Sequence, residues 1–153
     1  MTAGTGDPAR LPWAEWLPTR RWYAGRSRRL AEAKAALVVE LGDGLQLVML
    51  DVGYTDGTAD RYQVMVGWDV DLAPEYAQIA VIGTFGGRTA CDALYDSAAT
   101  RVLLSLIDSA ARRGDITFAP QPGATLPTGA EARVSDAEQS NTSVIIEDKV
   151  VLK

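Results

Sequence analysis

Hydrophobic positions along this chain change their spacing several times, and each change marks a different kind of element. Between Leu11 and Trp22, Trp13, Trp16 and Leu17 fall at i, i+3 and i+4, the stripe of a short amphipathic helix. Pro12 suits a first turn, whereas Pro18 interrupts a helix interior, so the pattern predicts two short helical pieces and not one. Residues 1–10 ahead of them carry no apolar period and read as a flexible terminus. From Ala33 the period becomes two. Residues 34–41, the turn Gly42-Asp43-Gly44 and residues 45–55 predict a hairpin, in which Leu45, Leu47 and Met49 alternate with Gln46, Val48, Leu50 and Val52. Asp56-Gly57 opens a second turn into residues 61–70, with Tyr62, Val64, Val66 and Trp68 on one face. These three strands form an antiparallel meander. Residues 78–85 supply a fourth strand, and Gly86-Gly87 turns the chain into a fifth at residues 88–91.

Helical spacing then returns. Asp96 or Ser97 is placed to cap a helix running to about Arg113, with Ala99, Val102, Leu103, Leu106 and Ala110 on one side and Gly114 just past its end. Residues 116–119 read as one more strand. Pro120, Pro122, Gly123, Pro127 and Gly129 make residues 121–131 a linker between a domain at 11–120 and a short β segment at 132–153. That segment reads as strands around a polar loop, with Val144-Ile145-Ile146, a Glu147-Asp148 turn and Val150-Val151-Leu152-Lys153. A last strand without a cap or polar tail is expected of a chain cut inside a larger fold. The fold class is therefore α+β: a curved antiparallel sheet packed across one long helix, with the N-terminal helical pieces at one end of the sheet.

Composition narrows the chemistry. With 153 residues, 47% hydrophobic and 23% charged, the chain suits one ordinary globular domain, and its apolar runs fall well short of the roughly 18 residues of a membrane span. The small, polar first seven residues lack the apolar core of a secretion signal, so a cytoplasmic location is expected. Histidine is absent and Cys91 is the single cysteine, which excludes Ser-His-Asp triads, Cys-His dyads, disulfides and imidazole or thiolate zinc sites within the chain. Charge is uneven. Residues 1–35 carry seven cations against three acids, while the remainder carries 8 against 17. That acidic body disfavours nucleic acid. The arginines at 20, 21, 26, 28 and 29 read first as a solvated helix end bridged to Glu15 or Glu32, and second as a patch for a phosphate or an acidic partner. Trp13, Trp16, Trp22 and Trp68 fit core packing better than sugar stacking. Asp69 and Asp71 lack a third carboxylate for a cation, so no metal is expected here.

The polar turn Glu138-Gln139-Ser140-Asn141-Thr142-Ser143 and the lysine that closes the next strand, Lys153, carry the main candidate chemistry. In kinase-like enzymes a hairpin loop covers the nucleotide phosphates and a lysine on the third strand neutralises them. Hydroxyls and backbone amides of a Ser/Asn/Thr turn donate to phosphate oxygens without glycine. Strand parity sets Lys153 on the face of Val151, opposite Val150 and Leu152. A surface lysine after an ordinary polar hairpin satisfies the same spacing.

Four stretches together resemble a known family: Leu11-Pro12-Trp13-Ala14-Glu15-Trp16-Leu17-Pro18, Arg20-Arg21-Trp22-Tyr23-Ala24-Gly25-Arg26, Asp51-Val52-Gly53-Tyr54-Thr55-Asp56-Gly57 with Arg61-Tyr62-Gln63-Val64, and the turn at 138–144. They resemble the bacterial maltokinases, aminoglycoside-phosphotransferase-like enzymes that phosphorylate maltose at C1 with ATP and Mg²⁺ and feed α-glucan (glycogen) synthesis. The resemblance implies a cystatin-like N-terminal cap at 11–120 and the first strands of a kinase N-lobe at 132–153. It makes Gln139, Ser140, Asn141, Thr142 and Ser143 the phosphate-covering loop and Lys153 the ATP-contacting lysine. It also places the αC glutamate, the catalytic aspartate, the Mg²⁺ ligands and the sugar pocket beyond residue 153, so this chain alone is expected to be inactive and to hold no ATP or Mg²⁺. A kinase for another sugar, such as glucosamine, is the near variant. The rival of a different class is an interaction module that docks a partner such as trehalose synthase through residues 20–29 or an exposed sheet.

Overall fold

The computed structural model describes residues 6–134, 142–147 and 150–152. Its centre is the predicted meander: Leu30–Gly42 (β1), Leu45–Tyr54 (β2) and Ala59–Trp68 (β3), joined by the hairpin of Val81–Phe85 (β4) and Arg88–Asp92 (β5) in one antiparallel sheet of order β1-β2-β3-β5-β4. β1 starts at Leu30 because the alanine-rich stretch finds a full-length partner in β2, from Leu30 opposite Tyr54 to Gly42 opposite Leu45. Pairing there overrides the weak strand propensity of alanine. The fourth strand is shorter than its pattern predicts. Pro74–Tyr76 form a 3-10 turn, and Ala80 is held by its N–H to the Tyr76 carbonyl before β4 begins.

Both faces of this sheet are apolar, and that decides where the flanking segments go. In β2, Val48, Leu50, Val52 and Tyr54 point to one side with Val64, Val66 and Trp68, while Leu45 and Leu47 point to the other with Met65. A β-bulge between Ala35 and Leu37 reverses the parity of β1, so Ala33 and Ala35 join the first side and Val39 and Leu41 the second. Leu11, Trp13, Trp16, Leu17 and Tyr23 cover the first side. The N-terminal pieces therefore lie across a face of the sheet and not at its end, because Val48 and Leu50, both fully buried, leave no solvated face there. Two pieces do form, the helix Trp13–Trp16 (α1) and the 3-10 turn Leu17–Thr19, divided where Pro18 forbids continuation. Pro8–Arg10 add a 3-10 turn within the expected loose terminus, and the Pro8 carbonyl accepts the Trp13 indole N–H at 2.8 Å.

Helix Ser97–Asp108 (α2) covers the second face with Ala99, Leu103 and Leu106. Asp96 caps it, its carboxylate accepting from Ala98 N at 3.1 Å. It is twelve residues long and stops five short of the predicted Arg113. Ala110 N–H donates to the Ile107 carbonyl and Ala111 N–H to that of Leu106, the paired bonds of a Schellman motif, with Ala110 left-handed at φ 51°. Gly114, expected to end the helix, instead turns a small hairpin between Arg112–Arg113 (β6) and Ile116–Thr117 (β7), at φ 54°. No described helix is long and apolar enough to cross a membrane.

Residues 120–131 contain turns but no helix or strand. Beyond them Ala132–Val134 (β8), Val144–Ile146 (β9) and Val150–Leu152 (β10) form a second antiparallel sheet of order β10-β9-β8. It packs on the side of α2 turned away from the first sheet: Leu104, 1% exposed, joins Val144 and Ile146 in their own cluster. The Ala132 N–H donates to Ser97 Oγ at 3.1 Å, which ties β8 to the first turn of the helix.

Two substitutions test this account of α2. Leu103→Ala opens a cavity between helix and sheet and is expected to cost about 2–5 kcal/mol. Ala110→Gly relieves a left-handed Cβ and is expected to stabilise by about 1 kcal/mol. Urea denaturation of each variant checks both signs; a lowered midpoint for Ala110→Gly means that the helix does not end in this motif.

Candidate functional site

The site implied by the polar turn and the closing lysine is only partly within view. Gln139, Ser140, Asn141 and Lys153 lie outside the described residues. Thr142 and Ser143 stand immediately before β9; Ser143 is buried, and Thr142 is half-buried on the wall of a cavity of about 540 Å³.

That cavity arises from a mismatch of strand lengths. β5 pairs with β3 only at Val66, Gly67 and Trp68, so residues 59–65 of β3 have β2 on one side and no strand on the other. Residues 61–65 line the cavity in unbroken succession, as a strand does when seen edge-on. Trp22 and Tyr62 lie on its wall with ring centroids 5.5 Å apart, while Leu103 and Ile107 of α2 and Leu152 of β10 close it from the other side. Asp92, the last residue of β5, also reaches the wall and is 3% exposed. Its Oδ1 accepts from Leu94 N at 3.1 Å, capping the 3-10 turn Ala93–Tyr95.

Burial pushes the Asp92 carboxyl up to about 6, against the opposing pull of the Leu94 N–H and of Arg20. The charge of Arg20 opposes that rise, but its guanidinium donates to the Ile79 carbonyl and lies 5.0 Å from the Trp16 ring centre. Burial, with Asp92 next to it, pushes the Cys91 thiol up to about 12, so this cysteine is a packed hydrophobe and not a nucleophile.

Of the other arginines in this segment, Arg28 is tied to the β2–β3 hairpin and not to the acids expected from sequence. Arg28 pairs with Asp60 and lies 3.9 Å from the Tyr54 ring centre, in place of Glu15 or Glu32. The Tyr54 hydroxyl donates to Asp60 at 2.9 Å, and with Arg28 it holds the Asp60 carboxyl below its usual range. A Cβ on Gly25 would clash with the Tyr54 hydroxyl oxygen, so the loop 23–28 is pressed against this cluster. Arg26 donates to the Arg20 carbonyl. Trp13, Trp16 and Trp68 are buried in the core, and only Trp22 among the four tryptophans lines the cavity. Asp69 is paired with Arg88 at 2.8 Å and accepts from Thr89 N at 2.9 Å. Sequence reasoning missed Asp92; the signal was a lone acid closing an apolar strand just ahead of a helix cap.

The raised Asp92 pKa has a definite sign in stability. Between about pH 4 and pH 6 the folded chain holds a proton that the unfolded chain has lost, so this group's contribution to stability falls as pH rises through that window. Asp92→Asn keeps the acceptor for Leu94 and removes the titration. The variant is expected to gain on the parent by up to about 3 kcal/mol between pH 4 and pH 7, measured by denaturation at each pH. A constant difference across that range means that Asp92 titrates like an exposed acid.

The described geometry thus places a covered sheet, a docked arginine loop and a cavity on its open edge within one stretch of chain. Residues 16–96 match the family model described as the maltokinase N-terminal cap domain. The match begins in α1, includes all five strands of the first sheet and stops at Asp96, the residue that caps α2. It spans more than half of the sequence, and the chain belongs to the maltokinase N-terminal cap domain family.

Proposed function

We propose that this chain is the cap of a maltokinase-type enzyme joined to the opening strands of its kinase N-lobe, and that the whole enzyme transfers a phosphoryl group from ATP to C1 of maltose for α-glucan synthesis. One observation carries the reading. Kinase-like enzymes span their first two N-lobe strands with the phosphate-covering loop and carry the phosphate-neutralising lysine on the third. Here β8 and β9 pair antiparallel, with Ala132 opposite Ile146 and Val134 opposite Val144, and the sequence between them is the stretch containing Gln139, Ser140, Asn141, Thr142 and Ser143. β10 pairs with β9 in turn, and Lys153 follows its last residue, Leu152. The cystatin-like character of the cap belongs to the same reading and is supported by a meander with the twelve-residue α2 across one face.

The donor set suits a nucleotide. Ser140 and Thr142 hydroxyls and the amide of Asn141 are neutral donors for phosphate oxygens, and the Lys153 ammonium adds the positive charge that positions α- and β-phosphates. Mg²⁺, when bound, supplies the further neutralisation that phosphoryl transfer requires. Among the described residues no three His, Cys, Asp or Glu side chains converge to hold it. Its ligands, the catalytic aspartate and the sugar pocket are assigned to the rest of the enzyme. Docking of a partner such as trehalose synthase through residues 20–29 is the weaker alternative, since Arg20, Arg26 and Arg28 are engaged within the chain and both faces of the first sheet are covered.

In the full enzyme Lys153→Ala is expected to lower kcat/KM by on the order of 10²-fold or more with the circular dichroism spectrum unchanged, because the role assigned to the lysine is to orient phosphates. The 153-residue chain by itself is expected to bind Mg-ATP no more tightly than about millimolar by calorimetry. A fully active Lys153→Ala enzyme, or micromolar ATP binding by the chain alone, refutes the assignment.

A further inference from the structure

The cavity beside the open edge of β3 contains a carboxylate with unused capacity. Asp92 is almost wholly buried, and the single hydrogen bond it accepts from a described residue comes from Leu94 N to Oδ1. None of the ion pairs among the described residues includes it. Two cations and a phenol face it or share its surroundings. Arg20 is engaged by the Ile79 carbonyl and the Trp16 ring, Tyr95 stacks edge-on with Tyr76 at 5.1 Å, and Arg61 is locked to Asp51 by bonds of 2.6 and 3.1 Å. Asp60 makes the contrast plain: it has the Arg28 guanidinium and the Tyr54 hydroxyl.

We propose that this cavity is a binding site for a small organic cation, a compound with a primary ammonium on an apolar or aromatic body, whose ammonium is held by Asp92 while its body lies among Trp22, Tyr62 and Leu103. A buried carboxylate without a paired cation is costly, and an ammonium supplies both the missing charge and N–H donors for the unused oxygen. Aromatic walls such as Trp22 and Tyr62 favour a cation over their faces. The volume, about 540 Å³, falls within the roughly 300–1,000 Å³ of small-molecule sites. The same carboxylate repels phosphates, so this site is separate in chemistry from the nucleotide site proposed above. It stands or falls independently of that reading.

The test uses the 153-residue chain and three probes of one shape: 2-phenylethylammonium, the neutral 2-phenylethanol and the anionic phenylacetate, with maltose as a fourth. Titrations are followed by amide chemical shifts in ¹H–¹⁵N spectra. The cation is expected to shift Gln63, Asp92 and Leu94 saturably, the alcohol to bind at least about tenfold more weakly, and the anion not to bind. Asp92→Asn is expected to abolish the preference for the cation over the alcohol while leaving the remainder of the spectrum in place. The comparison of the probes on the parent chain needs no variant. Equal binding of cation and alcohol, shifts confined to other residues, or maltose saturating the same amides in preference to the cation overturns the proposal.

Discussion

The rest of the fold depends on the two-sided apolarity of β2. Leu45, Leu47, Val48, Leu50, Val52 and Tyr54 are each less than 5% exposed, and they alternate between the two faces of the sheet. Burying such a side chain contributes about 1.5–3 kcal/mol, so leaving either face open would forfeit most of what stabilises a domain of this size. Both faces must be covered by whatever the chain supplies before and after the meander. It supplies a tryptophan-rich N-terminal segment on one side and α2 on the other. Even the polar residue inside the strand is absorbed: Gln46, 1% exposed, accepts the Trp68 indole N–H at 2.8 Å and donates to Glu40 at 2.7 Å.

The same constraint explains the arginine loop. Residues that cover the first face must be brought back over it after Thr19, and the chain then has to reach the start of β1. Arg28, fastened to Asp60 and Tyr54 on the β2–β3 hairpin, fixes that return, and Gly25 allows the loop to lie against the tyrosine hydroxyl. A partly exposed ion pair of this kind is worth little by itself. Its weight here comes from being shared among a guanidinium, a phenol ring and a carboxylate that belong to one small cluster. What reads in the sequence as a basic patch is in large part a clasp.

Elements whose signal is local were legible in the sequence. The hairpin turns, the interruption at Pro18 and the cap at Asp96 are set by residues within a few positions of where they act. The misreadings concern distant partners. Glycine is the usual left-handed residue, so Gly114 predicts a helix end near Arg113, but Leu106 and Ala111 both pack in the sheet-side cluster, and the helix closes earlier with Ala110 in that conformation. The reversal of β1 at its bulge is invisible in a stretch of alanines, whose pattern names no face. Asp92 looked like one acid among many, and only the early end of β5 against β3 turns it toward a cavity. Of the polar turn and the lysine after it, Gln139, Ser140, Asn141 and Lys153 lie outside the described residues.

The family match stops at Asp96, yet the packing does not. α2 gives Leu103 and Leu106 to the first sheet and Leu104 to the second, and Ser97 at its start holds the backbone of β8. A helix with apolar residues on two sides is stable only with a layer on each. The cap sheet therefore requires α2, and α2 in turn requires a neighbour on its outer side, which β8, β9 and β10 provide. The second sheet thus meets the cluster of Leu47 and Met65 on the inner face of the meander by two routes, through α2 and through Leu152 of β10, which packs on that cluster directly. Leu103 and Ile107 of the helix and Leu152 of β10 together form one wall of the cavity. A molecule lodged there would touch both sheets at once, through residues 61–65 of β3 and Leu152 of β10.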